Sequence, residues 1–195
     1  MILFDLGRVL ADLGSPSTKM RLTISDDEFW EIWLSMPAVR AFERGDVAFD
    51  EFLPRLAQKL GIREDPLNFK QRFLDWCPVL YPWVDSMISS LAKECKLALL
   101  SNTNPLHWNM IREETTVFQH FKHVFLSYEL RHCKPEEGAF DIVLKAASAS
   151  PKDVLFLDDM QENVAVARRL GFQASQVIGH DEVRDVLLRA GFEIE

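Results

Sequence analysis

Cysteine is scarce in this chain: Cys77, Cys95 and Cys133 are the whole complement in 195 residues. The odd number, the wide spacing and the lack of a C-x-x-C pair exclude a disulfide framework and a zinc ribbon, and fit reduced thiols. Positive charge is also short, with 22 Lys and Arg against 30 Asp and Glu and a net charge of −8. That balance, with no basic stripe, argues against nucleic acid as a partner. No apolar run reaches the roughly 20 residues of a bilayer-crossing helix, and the amino terminus lacks a signal-peptide pattern. The expectation is a cytoplasmic protein with no membrane partner; the sequence does not set an oligomeric state. The five histidines form no ligand set, and His120 and His123, three apart, read as structural or solvent-facing.

What the chain does have is apolar mass. It is 48% hydrophobic, with five Trp and fourteen Phe, enough for a well-filled core plus a small accessory module and for an aromatic pocket. Its first residues, Met1-Ile2-Leu3-Phe4, run straight into Asp5, with Gly7 two positions on. A short, fully apolar run reads as a buried central strand, placing Asp5 at its carboxyl edge, where open α/β sheets bind ligands. The plainer reading of Asp5 is a turn former or helix cap.

From residue 25 the period changes to helical. Ser25 can cap a helix carrying Phe29, Trp30, Ile32, Trp33 and Met36, and Pro37 ends or restarts it. A second pattern starts at Asp50 and stops near Gly61, and a third runs from about Pro66 to Trp76. No convincing strand is legible between residues 15 and 80, which reads as a small helical bundle serving as extra core or as a lid. Aromatic residues at helical spacing, Trp30 and Trp33 included, are ordinarily packing. The charged run Arg40-Ala41-Phe42-Glu43-Arg44-Gly45-Asp46 reads as a solvated turn with ion pairs, or else points polar groups down at a substrate.

After Val84 helices and strands alternate: strands at about 96–100, 123–126, 154–157 and 174–178, with helices between them and a closing one near 181–190. Such alternation means βαβ crossovers and a parallel sheet. The expected fold is α/β, a Rossmann-like parallel sheet with helices on both faces plus a small all-helical cap. Residues 1–14 and 81–195 would form the core, and residues 15–80 the cap.

Three of these apolar strands end in polar groups: Asp5, Ser101-Asn102 and Asp158-Asp159. Parallel strands bring those ends to one rim, where gathered carboxylates raise one another's pKa unless a cation joins them. Oxygen ligands of this kind suit Mg²⁺ shared with substrate phosphate oxygens. Lys134 supplies a compact positive charge, while Ser101, Asn102 and nearby backbone N–H groups suit phosphate oxygens. With that support, Asp5 can attack phosphorus and form an aspartyl-phosphate that water later hydrolyses. Each piece taken alone is also explicable as a helix cap or a surface turn.

Phe4-Asp5-Leu6-Gly7-Arg8-Val9-Leu10, Leu100-Ser101-Asn102-Thr103-Asn104, Lys134-Pro135 and Phe156-Leu157-Asp158-Asp159-Met160-Gln161-Glu162-Asn163, in this order, resemble the four motifs of the haloacid dehalogenase-like hydrolase superfamily. The resemblance spans nearly the whole chain and is nearest to the branch with a helical cap after the first strand, which includes sugar-phosphate phosphatases. It implies a Mg²⁺-dependent phosphatase acting on a small phosphorylated metabolite. Asp5 would be the nucleophile, the Gly7 carbonyl and Asp159 metal ligands, Asp158 an outer-sphere or second acidic partner, and Asn163 a supporting polar residue. Specificity would lie in cap residues such as Trp30, Arg40 and Arg44. One departure stands out: most phosphatases of the superfamily carry an acid–base aspartate where this chain has Gly7. The loss of such a group, typically worth about 10²- to 10⁴-fold, leaves open a slow or non-catalytic phospho-ligand-binding homologue. A 2-haloacid dehalogenase, which needs no metal, is a further alternative that the acidic pair disfavours.

Overall fold

A computed structural model describes residues 1–193. Strand β1 (Ile2–Phe4) leads into a tight turn and a two-residue strand, β2 (Ala11–Asp12). Helices α1 (Pro16–Lys19), α2 (Asp26–Ser35), α3 (Pro37–Glu43), α4 (Phe49–Lys59) and α5 (Pro66–Asp75) follow before a second short strand, β3 (Val79–Leu80). The chain then runs α6 (Val84–Glu94), β4 (Leu97–Ser101), α7 (Pro105–Glu113), β5 (His123–Leu126), α8 (Ser127–Leu130) and α9 (Glu137–Ala147). It ends with β6 (Leu155–Asp158), α10 (Gln161–Arg169), β7 (Gln173–Gln176) and α11 (Gly179–Arg189).

The sheet is five-stranded and parallel, in the order β5-β4-β1-β6-β7, so the α/β expectation holds. Because β1 is central, its residues alternate between two buried faces. Ile2 and Phe4 join Leu97, Leu99 and the apolar stripes of α6, α7 and α11. Leu3 faces the other way, with Ala98, Leu100, Phe156 and the stripes of α9 and α10. Two covered faces explain the unbroken apolar runs. The chain winds from β1 out to β4 and β5, then returns to β6 on the opposite side of β1, so strand order reverses at β1, where such sheets open a ligand crevice.

Helices α1 to α5 close around a cluster of their own, built on Phe29, Trp33, Phe42, Phe52, Phe69, Phe73 and Trp76. Several rings stack, Phe42 on Phe52 at 4.3 Å between centroids and Trp33 on Phe29 at 5.6 Å. Ser25 does cap α2: its Oγ accepts from the Glu28 N–H at 3.2 Å, while the Glu28 carboxylate accepts from the Ser25 N–H at 2.8 Å. This reciprocal box satisfies two donors that the first helical turn leaves open. Pro37 does start a new helix, α3. The reading of residues 15–80 as free of strand needs correction, since Val79–Leu80 pairs antiparallel with Ala11–Asp12. Two residues are too few for any alternation to register, and the ribbon they form closes the neck where the helical segment leaves and rejoins the sheet.

Candidate active site

The β1 carboxyl end delivers Asp5, whose N–H donates to the Leu157 carbonyl at 2.8 Å, so the nucleophile candidate is still tied into the sheet. The chain then folds back, with the Leu10 and Ala11 N–H groups both donating to the Leu6 carbonyl. Arg8 sits in this turn in a left-handed conformation (φ 58°). Its carbonyl accepts from Gly179, at the start of α11, at 2.8 Å. That turn places Gly7 and Arg8 over the sheet edge.

The other strand ends arrive beside it. One carboxylate oxygen from each of Asp5, Asp158 and Asp159 lies within 4.8 Å of the others, and all three residues are buried. The Lys134 side chain, also buried, reaches between them: Nζ donates to Asp5 Oδ1 and to Asp158 Oδ2, each at 2.6 Å. Burial, and then the neighbouring carboxylates Asp158 and Asp159, push Asp5 up to about 7 although Lys134 opposes the shift. Asp159 is raised to about 6 for the same reasons, burial first and Asp158 next. Burial works against the charge on Lys134, but Asp158 and Asp5 outweigh it and hold the ammonium protonated.

The two neighbouring aspartates differ in what they have left to offer. Asp158 is fully engaged, its Oδ1 accepting from the Met160 N–H and the Asn163 side chain, each at 2.8 Å, and its Oδ2 from Lys134. Among the described residues, Asp159 meets only Arg8 Nη1, at 3.4 Å, through its side chain. Three carboxylates against one buried ammonium and a half-exposed guanidinium leave the site short of positive charge. The donor set therefore fits a hard divalent cation, which Asp5, Asp159 and the adjacent Gly7 carbonyl could hold while Asp158 orients Lys134.

Lys134 itself is held by Asn102, whose amide accepts from the Lys134 N–H at 2.8 Å and donates to the Lys134 carbonyl at 2.9 Å. The Asn102 side chain is thus committed to the lysine, and what Asn102 retains for a phosphate is its backbone N–H. Ser101 ends β4 and lines the same cavity. Asn104 caps α7, accepting from the Leu106 and His107 N–H groups at 3.1 Å.

The cavity above these residues has a volume of about 340 Å³. Its far wall is apolar and comes largely from the helical segment: Trp30, Trp33, Leu34, Val39 and Trp76, with Leu13 and Pro78 at the neck. Three polar groups also line it: His107, which sequence reasoning did not single out, and Arg40 and Glu43, both in the charged run, with only Arg40 of the two named as a specificity residue. His107 is buried against the Phe73 ring, 4.8 Å between centroids, and burial lowers its pKa to about 4. Arg40 lies on α3 and donates to the Lys134 carbonyl at 3.2 Å. Glu43, one turn on, is buried and pairs with Arg40 at 3.5 Å. For Glu43 a partial signal was available: on a helix it shares a face with Val39 and neighbours Phe42, a buried stripe rather than a solvated one. Arg44, the other cap arginine singled out, points elsewhere, to Asp46 at 2.9 Å and Glu136 at 3.4 Å.

The chain is 28% identical over 185 residues to D-ribitol-5-phosphate phosphatase of Bacteroides thetaiotaomicron, covering 90% of each protein. It is 27% identical over 179 residues to a sesquiterpene phosphatase of Aspergillus oryzae, covering 87% of this chain and 85% of that one. A crystal structure of a haloacid dehalogenase family enzyme of B. thetaiotaomicron, in complex with magnesium and inorganic phosphate, superposes with a TM-score of 0.75 at 25% identity, covering 92% of this chain and 95% of the other. The model of the haloacid dehalogenase-like hydrolases matches residues 20–171, and the chain belongs to that family.

Proposed function

We propose that the protein is a Mg²⁺-dependent phosphatase that hydrolyses a small phosphorylated metabolite, a sugar phosphate being one class, through a phosphoryl group carried on Asp5. The observation that carries the reading is the buried Asp5–Lys134–Asp158 arrangement, with Asp159 beside it and paired to the half-exposed Arg8. Relatives named as phosphatases of quite different alcohols, and a solved relative holding magnesium and phosphate, support it.

In this reading Asp5 keeps one oxygen on Lys134 and turns the other toward phosphorus. Lys134 neutralises Asp5 while the substrate enters and then the phosphoryl oxygens as they cross. Ser101 and the backbone at Asn102 hold the phosphate. A bound Mg²⁺, held by Asp5, Asp159 and the Gly7 carbonyl, would screen the charge of the phosphoryl group. Residues 15–80 act as the cap, its aromatic wall covering the leaving group and excluding bulk water. Gly7 leaves proton transfer to some other group.

A panel of phosphorylated sugars, polyols and isoprenoid alcohols with Mg²⁺ tests the proposal. Phosphate release is expected from at least one member, lost with Asp5→Asn and with chelation. No release above the Asp5→Asn control defeats the phosphatase reading; dehalogenation of a 2-haloacid that survives chelation would put the other family chemistry in its place.

A further inference from the structure

The absence of a side chain at Gly7 poses a chemical question: an alkoxide leaving group needs a proton, and the water that later attacks the phosphoenzyme must lose one. The titratable side chains lining the cavity narrow the answer. Asp5 and Asp159 belong to the carboxylate cluster. Lys134 spans two carboxylates and stays charged. His107 has both ring nitrogens engaged, by the Asn104 amide at 3.2 Å and the Phe73 carbonyl at 3.1 Å. Glu162 is exposed in the first turn of α10, with water to compete for any proton it holds. Glu43 is different: a buried carboxyl on α3, lining the same cavity as Asp5 and Lys134 from the cap side, where a leaving group would lie.

We infer that Glu43 is the acid–base residue of this hydrolase, a role that rests on the aspartyl-phosphate reading above. As the Asp5–phosphorus bond forms and the ester P–O bond breaks, protonated Glu43 gives its proton to the leaving oxygen and becomes a carboxylate. In the second half, that carboxylate takes a proton from water as the water oxygen bonds to phosphorus and the Asp5–phosphorus bond breaks. Glu43 ends the cycle protonated, the alcohol and inorganic phosphate depart, and atoms and charge balance.

The surroundings suit both halves. Burial pushes Glu43 up to about 7, against the pull of the Arg40 guanidinium on its own helix, the Trp33 indole on α2 and the Lys134 ammonium below. The remaining titratable neighbour, the Cys133 thiol, is buried and pushed up to about 12, so it stays neutral. A carboxyl balanced near neutrality holds a proton for the first step and accepts one in the second. The role is also compatible with a missing side chain at Gly7, because proton transfer then comes from the cap and depends on the cap lying over the substrate.

The test uses the full chain with Mg²⁺ and two esters, an alkyl phosphate found in the substrate panel and p-nitrophenyl phosphate, whose leaving group needs no proton. Glu43→Gln should lower kcat for the alkyl ester about 10²-fold or more. With p-nitrophenyl phosphate the variant should release one equivalent of nitrophenolate per site in a burst and then stall, accumulating phosphoenzyme. The alkaline limb of the kcat/KM profile for the alkyl ester, the fall above pH 7 as Glu43 loses its proton, should vanish in Glu43→Gln and persist in Glu43→Asp; the acid limb set by ionisation of Asp5 should remain in both. Gly7→Asp should restore alkyl turnover in the Glu43→Gln background, since an added Cβ at Gly7 meets only Leu13 side-chain atoms at 3.4 Å and beyond. Equal losses on both esters without a burst, or an unchanged alkaline limb, would overturn the role of Glu43 alone. If the wild type releases phosphate from neither ester, the Asp5 reading fails and this one with it.

Discussion

A buried acid with a raised pKa must also leave a mark on stability, and Glu43 offers the cleanest place to measure it. Its carboxyl titrates near 7 in the folded chain against 4.5 in an unfolded one, because burial disfavours the charge more than Arg40 and Lys134 favour it. Between those values the folded state binds the proton and the unfolded state does not, so stability falls as pH rises through the interval. Over pH 5 to 8.5 the shift amounts to a loss on the order of 2 to 3 kcal/mol from this one group. Glu43→Gln keeps the shape and removes the titration. The assay is urea unfolding at pH 5 and pH 8.5, in chelator, followed by fluorescence of the cap tryptophans Trp33 and Trp76. Asp5 and Asp159 titrate equally in both proteins and cancel in the comparison. The variant should gain on the wild type by that amount at the higher pH, and the gain should largely disappear at pH 5. A difference independent of pH, or one that grows toward pH 5, would refute the reasoning: Glu43 would then be an ordinary ionised partner of Arg40.

Two further outcomes follow from the site. Lys134→Met removes the ammonium that bridges Asp5 and Asp158 and leaves two buried carboxylates facing each other; a loss of roughly 3 to 5 kcal/mol is expected, measured by the urea midpoint, together with loss of turnover. Mg²⁺ at about 100 times its Kd should stabilise the chain by about 2.7 kcal/mol in thermal melts, and Asp159→Asn should abolish most of that gain while Asn163→Ala, which touches only Asp158 among the acidic trio, should reduce it less.

Much of the fold is legible because its signals are local. The unbroken runs at Ile2–Phe4 and Leu97–Leu100 mark strands buried on both faces, and Ser25 with Glu28 marks a helix start before any tertiary contact is known. The strand ends are legible for the same reason, and three of them converging is what a parallel sheet requires. The cap side of the site is not legible in that way. Glu43 sits in a charged run that reads either as a solvated turn or as polar groups aimed at a substrate, and only the tertiary fold buries it near Trp33, Lys134 and Cys133. His107 was hidden similarly, since nothing in Pro105-Leu106-His107-Trp108 announces that its ring will stack on Phe73, 34 residues away. The Asn102 side chain misled in the opposite direction: a polar residue after a strand reads as a ligand donor, but its amide closes on the backbone of Lys134.

That clamp shows how the two halves of the site are held in register. The Lys134 carbonyl accepts from Asn102 just after β4 and from Arg40 on α3, so one backbone group ties α3 to the loop that positions the ammonium. Beside it, Arg44 reaches Glu136, and Arg131 donates to the Gly45 carbonyl at the end of α3. The polar edge of the helical segment is therefore pinned to the segment carrying Lys134, while the tryptophan wall rests on the aromatic cluster, which meets α7 through Phe73 and Trp76 on His107. On the proposed mechanism, a leaving group held between them would meet the Glu43 carboxyl on one side and a broad apolar surface on the other. Selection by such a pocket would rest on the shape and apolar area of the alcohol more than on its individual hydroxyls, with Glu43 and Arg40 the polar contacts close to the scissile bond. Arg40→Ala should accordingly loosen the register itself: kcat is expected to fall about tenfold or more for polyol and isoprenoid phosphates alike, because the misplacement of Glu43 and Lys134 is common to every substrate. A loss confined to polyol phosphates would instead make Arg40 a hydroxyl ligand and sever the link between the cap edge and the lysine.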